Sequence, residues 1–146
     1  MAVTAHAYRN FLKTLLAKDV DLDVANELKV MLTTSAYVPN QNTHEFKSDV
    51  TSEVTGTGYT AGGIVLTSVV QNVGTNLIWA FDAADSIWPA STITARIAVV
   101  YDNLSGGTDA SRRLILWQDF GVDVSSTGGN FTITWATAGL LQATFS

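Results

Sequence analysis

The side chains that could carry metal, redox or nucleophilic chemistry are few in this chain of 146 residues. It has no cysteine, which excludes disulfides, thiolate metal sites and cysteine nucleophiles. Its two histidines are His6, near the start, and His44, in a turn-rich stretch. Because a zinc-type site needs three or four clustered ligands, two scattered histidines do not indicate one. We therefore expect no metal and no cofactor.

Two groups of acidic residues resemble functional patterns without completing them. Asp82 and Asp85 could form a carboxylate pair of the kind that hydrolyses glycosides, but that chemistry needs a substrate groove between them. We expect them instead to cap a turn. The acidic alternation of residues 19–27 resembles the start of a calcium loop. Val24 stands where that loop needs a glycine and Val30 where it needs a bidentate glutamate, so we predict a turn or extended segment.

Motifs for nucleotide binding and nucleophilic catalysis are absent or incomplete. Gly56 and Gly58 form a G-x-G without the remainder of a phosphate-binding loop, and we interpret them as turn glycines. No G-x-S-x-G or S-x-x-K motif occurs. Arg112 and Arg113 fit a solvated turn or a contact with an acidic neighbour, and Arg96 is predicted to point outward from a strand. The sequence therefore predicts that the protein is not an enzyme.

The amino-acid composition of the chain excludes some classes of binding partner. The net charge is −5 and charged residues make up only 14% of the chain, against 47% apolar residues. An acidic chain is a poor duplex binder, because phosphate contacts need a basic face. No apolar run approaches the ~18 residues of a membrane span, and the first residues do not have the form of a signal peptide. We expect no nucleic-acid or membrane partner, and synthesis in a reducing cytoplasm.

One segment has helical periodicity. Tyr8, Phe11, Leu12, Leu15 and Leu16 fall on one face of a helix, which predicts a helix over about residues 5–17, with Thr4 as its N-cap. A helix of this length is not stable alone and must dock on an apolar surface. That surface could belong to its own domain or to a neighbouring subunit.

The remainder of the chain has the alternation and turn spacing of an antiparallel β-protein. Abundant Thr, Ser, Val, Ile and Gly and only two prolines agree with this. We predict a mainly β fold, an antiparallel, jelly-roll-like β-sandwich with one N-terminal helix. The whole chain, 1–146, is expected to be one domain, with a helix or arm over about 1–20 and the sandwich over about 27–146. The predicted strands span residues 28–34, 48–54, 64–70, 76–82, 93–101, 114–120, 131–135 and 140–145.

Alternation also predicts the core and a candidate interface. The inward-facing residues of the clearest strands are Leu28, Val30, Leu32, Ile97, Val99, Phe131, Ile133 and Trp135. The strand over residues 114–120 is apolar on both faces, so it needs a second cover from the helix or from another subunit. The candidate residues for an oligomer or capsid interface are Tyr8, Phe11, Leu15, Ile115 and Trp117.

Several stretches of the chain together resemble small structural proteins of tailed bacteriophages. They are TSAYVPNQNTHEF, SDVTSEVTGTGYTAGG, STITARIAVVYD, LILWQDFG and GGNFTITWATAGLL. The resemblance implies a virion component on the outer head surface, a capsid decoration or cement protein that bridges capsomers. Its partners would be the major capsid protein and two further copies in a homotrimer. A neck or tail component remains an alternative, as does a carbohydrate- or receptor-binding fibre module, for which Trp88 with Asp85 is the best candidate pair.

Overall fold

The computed structural model describes residues 4–23, 27–74 and 77–145. Strands account for 48% of the structure and helical turns for 7%. A single turn of 3₁₀ helix spans Lys47–Asp49. The other elements, in chain order, are β1 (Thr4–Ala7), α1 (Phe11–Leu16), β2 (Leu28–Thr33), β3 (Ile64–Val65), β4 (Val70–Val73), β5 (Ile78–Asp82), β6 (Ser86–Asp102), β7 (Leu114–Ile133) and β8 (Leu141–Thr144).

The strands form two antiparallel sheets. The large sheet has the order β1-β7-β6-β2-β3, and the small sheet has the order β4-β5-β8. The long hairpin of β6 and β7 is the backbone of the large sheet, and β2 pairs with the outer edge of β6 over six residues. The predicted mainly β fold, with antiparallel sheets and one short N-terminal helix, is confirmed.

The N-terminal segment differs from the predicted helix over 5–17. Residues 4–7 form β1, which pairs with β7 from Thr4 opposite Asp119 to Ala7 opposite Leu116. The helix begins only after Asn10, so Thr4 is not its N-cap, and it ends before Ala17. The backbone hydrogen bonds that β1 gains from a distant strand replace those of the first predicted helical turns.

Three other predicted boundaries are also corrected. The strand expected over 48–54 is replaced by the 3₁₀ turn, because the Asp49 carboxylate accepts hydrogen bonds from the backbone N–H groups of Glu45 and Phe46, at 2.8 and 2.9 Å. The turn expected over 125–130 lies inside β7 and pairs with β6. The strand expected over 64–70 is two short strands separated by Ser68, whose φ is +50°. Residues 24–26 of the calcium-like stretch lie outside the described residues, as do Thr75 and Asn76.

Buried apolar side chains form two clusters. Alternate residues of the same strands enter different clusters, so the clusters lie on opposite faces of the large sheet. The larger cluster joins that sheet to Phe81 of β5 and includes Leu28, Val30, Leu32, Val100, Leu116, Phe131, Ile133 and Trp135. The smaller cluster consists of Tyr8, Met31, Tyr37, Ile97, Val99, Tyr101 and Leu114. All eight predicted core residues are buried.

An irregularity in the hairpin distributes those core residues over both clusters. The pairing of β6 with β7 shifts register between Ala95 and Ile97. Ala95 therefore belongs to the larger cluster, whereas Ile97 and Val99 belong to the smaller one. Regular alternation would put these three residues on one face, and the bulge reverses the side-chain direction at Arg96.

Candidate interaction surfaces

The five predicted interface residues are not all accessible. Tyr8, Phe11 and Ile115 are buried within the chain's own clusters, whereas Leu15 and Trp117 are only partly buried. Within this chain, Tyr8, Phe11 and Ile115 thus have almost no surface to offer a partner. That Leu15 and Trp117 contact another molecule stays a prediction.

The chain itself covers both faces of the first part of β7, residues 114–120. On the side of the smaller cluster, the hydroxyls of Tyr8 and Tyr37 are hydrogen-bonded at 3.0 Å, and the Tyr37 hydroxyl lies 3.0 Å from Nδ1 of His44. The N-terminal segment and the loop after β2 therefore supply the second cover. Burial raises the pKa of the Tyr8 hydroxyl well above its usual value, so the group stays protonated.

Two groups of exposed apolar side chains lie on α1 and at one end of the small sheet, and others, such as Val38 and Val122, lie elsewhere on the surface. In α1, Phe11 and Thr14 face inward, which leaves Leu12 and Leu16 exposed. In the small sheet, Val73 is 82% exposed, Leu77 62% and Phe145 60%. The backbone N–H of Phe145 donates to the carbonyl of Leu77 at 2.8 Å, which holds those two residues side by side.

The exposed edge of the small sheet includes a strand that the sequence does not predict. The segment from Gln71 onward was expected to be a loop, but Val70–Val73 form β4, the edge strand beside β5, and all four residues are exposed. The amides of Gln71 and Asn72 followed by Gly74 have the composition of a turn. Val70 and Val73, at the two ends of the strand, are β-branched residues that favour β structure, and they are the signal for β4 in the sequence.

The candidate sugar-binding pair is not placed to bind a sugar. Trp88 is 1% exposed, and its ring packs edge-to-face on Phe131 with 5.9 Å between the ring centroids. Asp85 accepts a hydrogen bond from the backbone N–H of Trp135 at 3.2 Å, and Asp82 accepts one from Ala83 at 2.9 Å. Both carboxylates accept hydrogen bonds from backbone N–H groups, but the partner of Asp85 lies 50 positions away, so Asp85 does not cap a turn as predicted. The Trp88–Asp85 proposal is wrong because the ring belongs to the core.

A groove of about 480 Å³ beside the bulge is lined mainly by hydroxyls, among them Thr92 and Thr94 of β6 and Ser125 of β7. Thr94 and Ser125 are hydrogen-bonded to each other at 2.7 Å. The one carboxylate of the groove, Glu53, accepts from the Tyr59 hydroxyl at 2.9 Å and from the Gly62 N–H at 2.5 Å. Much of the polar surface of the groove is thus engaged within the chain.

The arginines singled out in the sequence form ion pairs. Arg96 extends outward and donates to Asp119 at 2.5 Å, and this hydrogen bond holds the pKa of the Asp119 carboxyl below its usual value. Arg112 pairs with Asp109 at 2.9 Å, and Arg113 pairs with Glu45. The predicted contact of Arg112 and Arg113 with acidic neighbours is confirmed. All three arginines are thus paired with carboxylates of the chain.

Asp102, at the end of β6, is a buried carboxylate whose Oδ1 has no hydrogen-bond partner among the described residues. Burial raises its pKa from 3.8 to about 6, and the charges of Glu27 and Asp21 add to this effect. Because protonation favours the folded state, the stabilisation is complete below pH 3.8 and is lost as the pH rises through about 6.

Asp102→Asn should therefore raise the free energy of unfolding at pH 7 by roughly 2–3 kcal/mol. The same substitution should remove most of the pH dependence of stability between 3.8 and about 6. Urea unfolding at several pH values measures both effects. Asp123→Asn, at an exposed position, is the control and should change stability by less than ~0.5 kcal/mol. A loss of stability at pH 7 in Asp102→Asn would contradict the prediction.

Among the residues that the structure describes, no group of three or more His, Cys, Asp or Glu side chains is placed to hold a metal ion. His6 stacks on Trp117 with 4.4 Å between the ring centroids, whereas His44 contacts Tyr37.

No helix within the described ranges is long and apolar enough to cross a membrane. Comparison of the chain with models of protein families, with curated proteins and with solved structures finds no match.

Proposed function

We propose that the chain is a non-enzymatic structural protein of a tailed-bacteriophage particle. Its role is that of a capsid decoration protein, which binds the outer surface of the head and bridges adjacent capsomers. The observation that carries the proposal is the exposed apolar surface on α1 and at the end of the small sheet, where Leu16 is 76% exposed and Val73 82%. Large apolar side chains exposed to water favour association with another protein surface.

The stretches that resemble the phage family also support this proposal, and several of them lie in the large sheet. STITARIAVVYD lies within β6, and LILWQDFG and GGNFTIT account for much of β7. TSAYVPNQNTHEF forms the loop that covers the smaller cluster, to which Tyr37 belongs. The resembling stretches thus form much of the large sheet. The exposed apolar residues of α1 and of the small sheet lie outside these stretches.

The partners in this proposal are the major capsid protein and two further copies of the chain in a homotrimer. A head surface offers repeated sites, so many weak contacts add up to durable attachment. Closed threefold symmetry suits a protein placed between capsomers. The net charge of −5 keeps the free protein soluble in the host cytoplasm before it reaches the particle.

Localisation on the particle tests the proposal. An antibody raised against the purified chain, applied with gold labels to particles of the phage that encodes it, should decorate the whole head. Cryo-electron microscopy of the same particles should show threefold density outside the shell. Label confined to the neck or tail overturns the decoration role in favour of a neck or tail component, and particles free of label overturn the virion assignment.

A surface variant tests which residues bind. Val73→Asp should weaken attachment to stripped heads about tenfold or more, because it puts a charge where apolar area would be buried. Val38→Asp is the matched control, since Val38 is 76% exposed but lies in the loop after β2. Both variants should keep the unfolding midpoint of the wild type. Equal attachment by both variants would show that the small sheet does not contact the head.

A further inference from the structure

The outermost strand of the small sheet, β4, has one side that is paired with β5 and one side that is not. The pairing with β5 determines which backbone groups are free. The N–H of Gly74 donates to the carbonyl of Ile78 at 2.8 Å, and Asn72 holds the next hydrogen-bonded position along the same ladder. Because such positions alternate in an antiparallel pair, the N–H and C=O groups of Gln71 and Val73 point away from β5.

This edge lacks features that protect exposed strands from pairing. β4 contains no charged residue and no proline, its pairing with β5 is regular, and all four of its residues are exposed. Beyond that ladder, the described residues form no backbone hydrogen bond with Gln71 or Val73. Both residues therefore offer an N–H and a carbonyl to an extended segment of another chain. Strand addition of this kind takes its affinity from main-chain hydrogen bonds.

A space of about 370 Å³, which we call the β4 groove, lies beside this strand. It is lined by Gln71 and by residues of α1 and the segment after it, Leu15, Lys18, Val20, Asp21, Leu22 and Asp23. The Gln71 side chain is fixed, because its Nε2 donates to Asp23 at 2.6 Å and its Oε1 accepts from the indole N–H of Trp79 at 3.3 Å. On an added strand, the side chain opposite Gln71 would lie on the same face of the sheet, within about 5.5 Å between Cβ atoms. That side chain would therefore lie at the β4 groove.

The charges around the β4 groove favour a basic side chain. Asp21 and Asp23 are exposed, and neither forms an ion pair among the described residues. Asp21 accepts from the N–H of Asp23 at 2.8 Å and Asp23 accepts from Gln71, so one oxygen of each carboxylate is free to accept a further hydrogen bond. The one basic residue of the groove, Lys18, is outnumbered by these two carboxylates. A second copy of this acidic chain would bring like charges together here, which disfavours it as the occupant.

We propose that the edge of β4 binds an extended segment of another protein by strand addition, with a lysine or arginine of that segment beside Asp21 and Asp23. The backbone of the segment pairs with Gln71 and Val73, and its basic side chain lies opposite Gln71. Two residues along the segment, on the same face, a β-branched side chain covers Val73, which is 82% exposed. This inference does not depend on the function proposed above, because it concerns the binding of a peptide to the isolated chain.

The first experiment titrates the blocked peptide acetyl-Thr-Val-Thr-Lys-Thr-Val-Thr-amide into the full chain at low salt. NMR shifts of the backbone amides of Gln71 and Val73 give the affinity. Binding should slow hydrogen exchange at these two amides, whereas the amide of Asn72, which already faces β5, should be unaffected. The same peptide with glutamate in place of lysine should bind roughly tenfold more weakly, because like charges then meet. Absence of binding by the lysine peptide, or equal affinity for the two peptides, overturns the proposal.

A modified peptide separates strand addition from simple attraction between charges. Methylation of the backbone nitrogens of its lysine and both valines keeps the positive charge but removes the N–H groups that face β4. We expect this peptide not to bind. Binding equal to that of the unmodified peptide would overturn strand addition.

Asp21→Asn tests the contribution of charge, since asparagine keeps an oxygen that accepts from the N–H of Asp23. It should weaken binding of the lysine peptide roughly threefold, the effect of one exposed ion pair. Asp123→Asn is the matched control, because it removes the same charge from an exposed position that does not line the β4 groove, and it should leave the affinity unchanged. Urea unfolding verifies that both variants are folded. Equal affinities of the two variants would contradict the role of Asp21.

The other possible occupant, a second copy of the chain, is tested without peptide. Pairing of β4 between copies would slow hydrogen exchange at the amides of Gln71 and Val73 as the protein concentration rises. We expect exchange at these amides to be independent of concentration, since contacts between copies elsewhere on the chain do not protect them. Protection that appears without peptide overturns the proposal in favour of pairing between two copies.

Discussion

Trp135→Ala should lower the free energy of unfolding by about 3–5 kcal/mol, the range for removing a large aromatic side chain from a core. Trp135 follows β7, is 6% exposed and belongs to the larger cluster. Its removal leaves a cavity among Phe131, Ile133 and their neighbours that the large sheet cannot close by small shifts. Urea unfolding monitored by circular dichroism at pH 7 gives the measurement.

Trp135→Phe is the control for that experiment. Phenylalanine keeps most of the apolar contacts and removes the indole N–H, which is buried and has no partner among the described residues. We expect a much smaller loss of stability for Trp135→Phe than for Trp135→Ala. An unchanged unfolding midpoint in Trp135→Ala would show that the ring is not part of the core.

Gly63→Ala should destabilise the chain by about 2–5 kcal/mol, from backbone strain together with steric overlap. Gly63 has a φ of +73° and lies against β2, where a Cβ atom would overlap the carbonyl oxygen of Val30 and approach the Cα of Met31 to 2.7 Å. Both neighbouring groups are backbone atoms of a buried strand. They cannot move aside without breaking the pairing of β2 with β3.

Gly106→Ala separates the two contributions. Gly106 has the same φ of +73°, but a Cβ atom there would meet nothing within 4 Å. Its substitution should therefore cost only the strain of the left-handed conformation, about 1–2 kcal/mol. Thermal and urea unfolding of the two variants give the difference. Equal losses would mean that the approach of Gly63 to Val30 contributes nothing.

The parts of the fold that followed from the sequence are those in which a local pattern and the tertiary environment agree. Alternation of large apolar residues predicted β2 and much of β6 and β7, and it identified core residues such as Val30, Val99 and Phe131. These patterns succeed because burial of one strand face repeats every second residue. Turn residues likewise located the loop after β2.

The parts that could not be predicted depend on contacts between distant residues. Nothing near His6 indicates that the segment pairs with Trp117 and its neighbours in β7. Ser125 lies in a stretch with the composition of a turn, yet its pairing with Thr94 keeps it in a strand. The bulge opposite Arg96 reverses a regular alternation. In each case a hydrogen-bonded partner, invisible to local periodicity, overrides the local preference.

Local sequence patterns also do not determine which apolar residues of the candidate surfaces are exposed. A helical stripe shows that Phe11 and Leu16 are apolar, but the docking geometry decides that the first is buried and the second exposed. An aromatic residue beside an acid, such as Trp88 near Asp85, fits a sugar site and a core equally well.

The pairing of β1 with β7 has a consequence for synthesis of the chain on the ribosome. Ala7 is made before its partner Leu116, which follows about 110 residues later. At ordinary rates of translation, the first strand waits roughly 5–20 seconds before that partner exists. During this interval the exposed edge and the apolar side chains that follow it, beginning with Tyr8, are available to chaperones. The nascent chain should therefore remain sensitive to protease at β1 until β7 has emerged, and then become resistant there in a single late step.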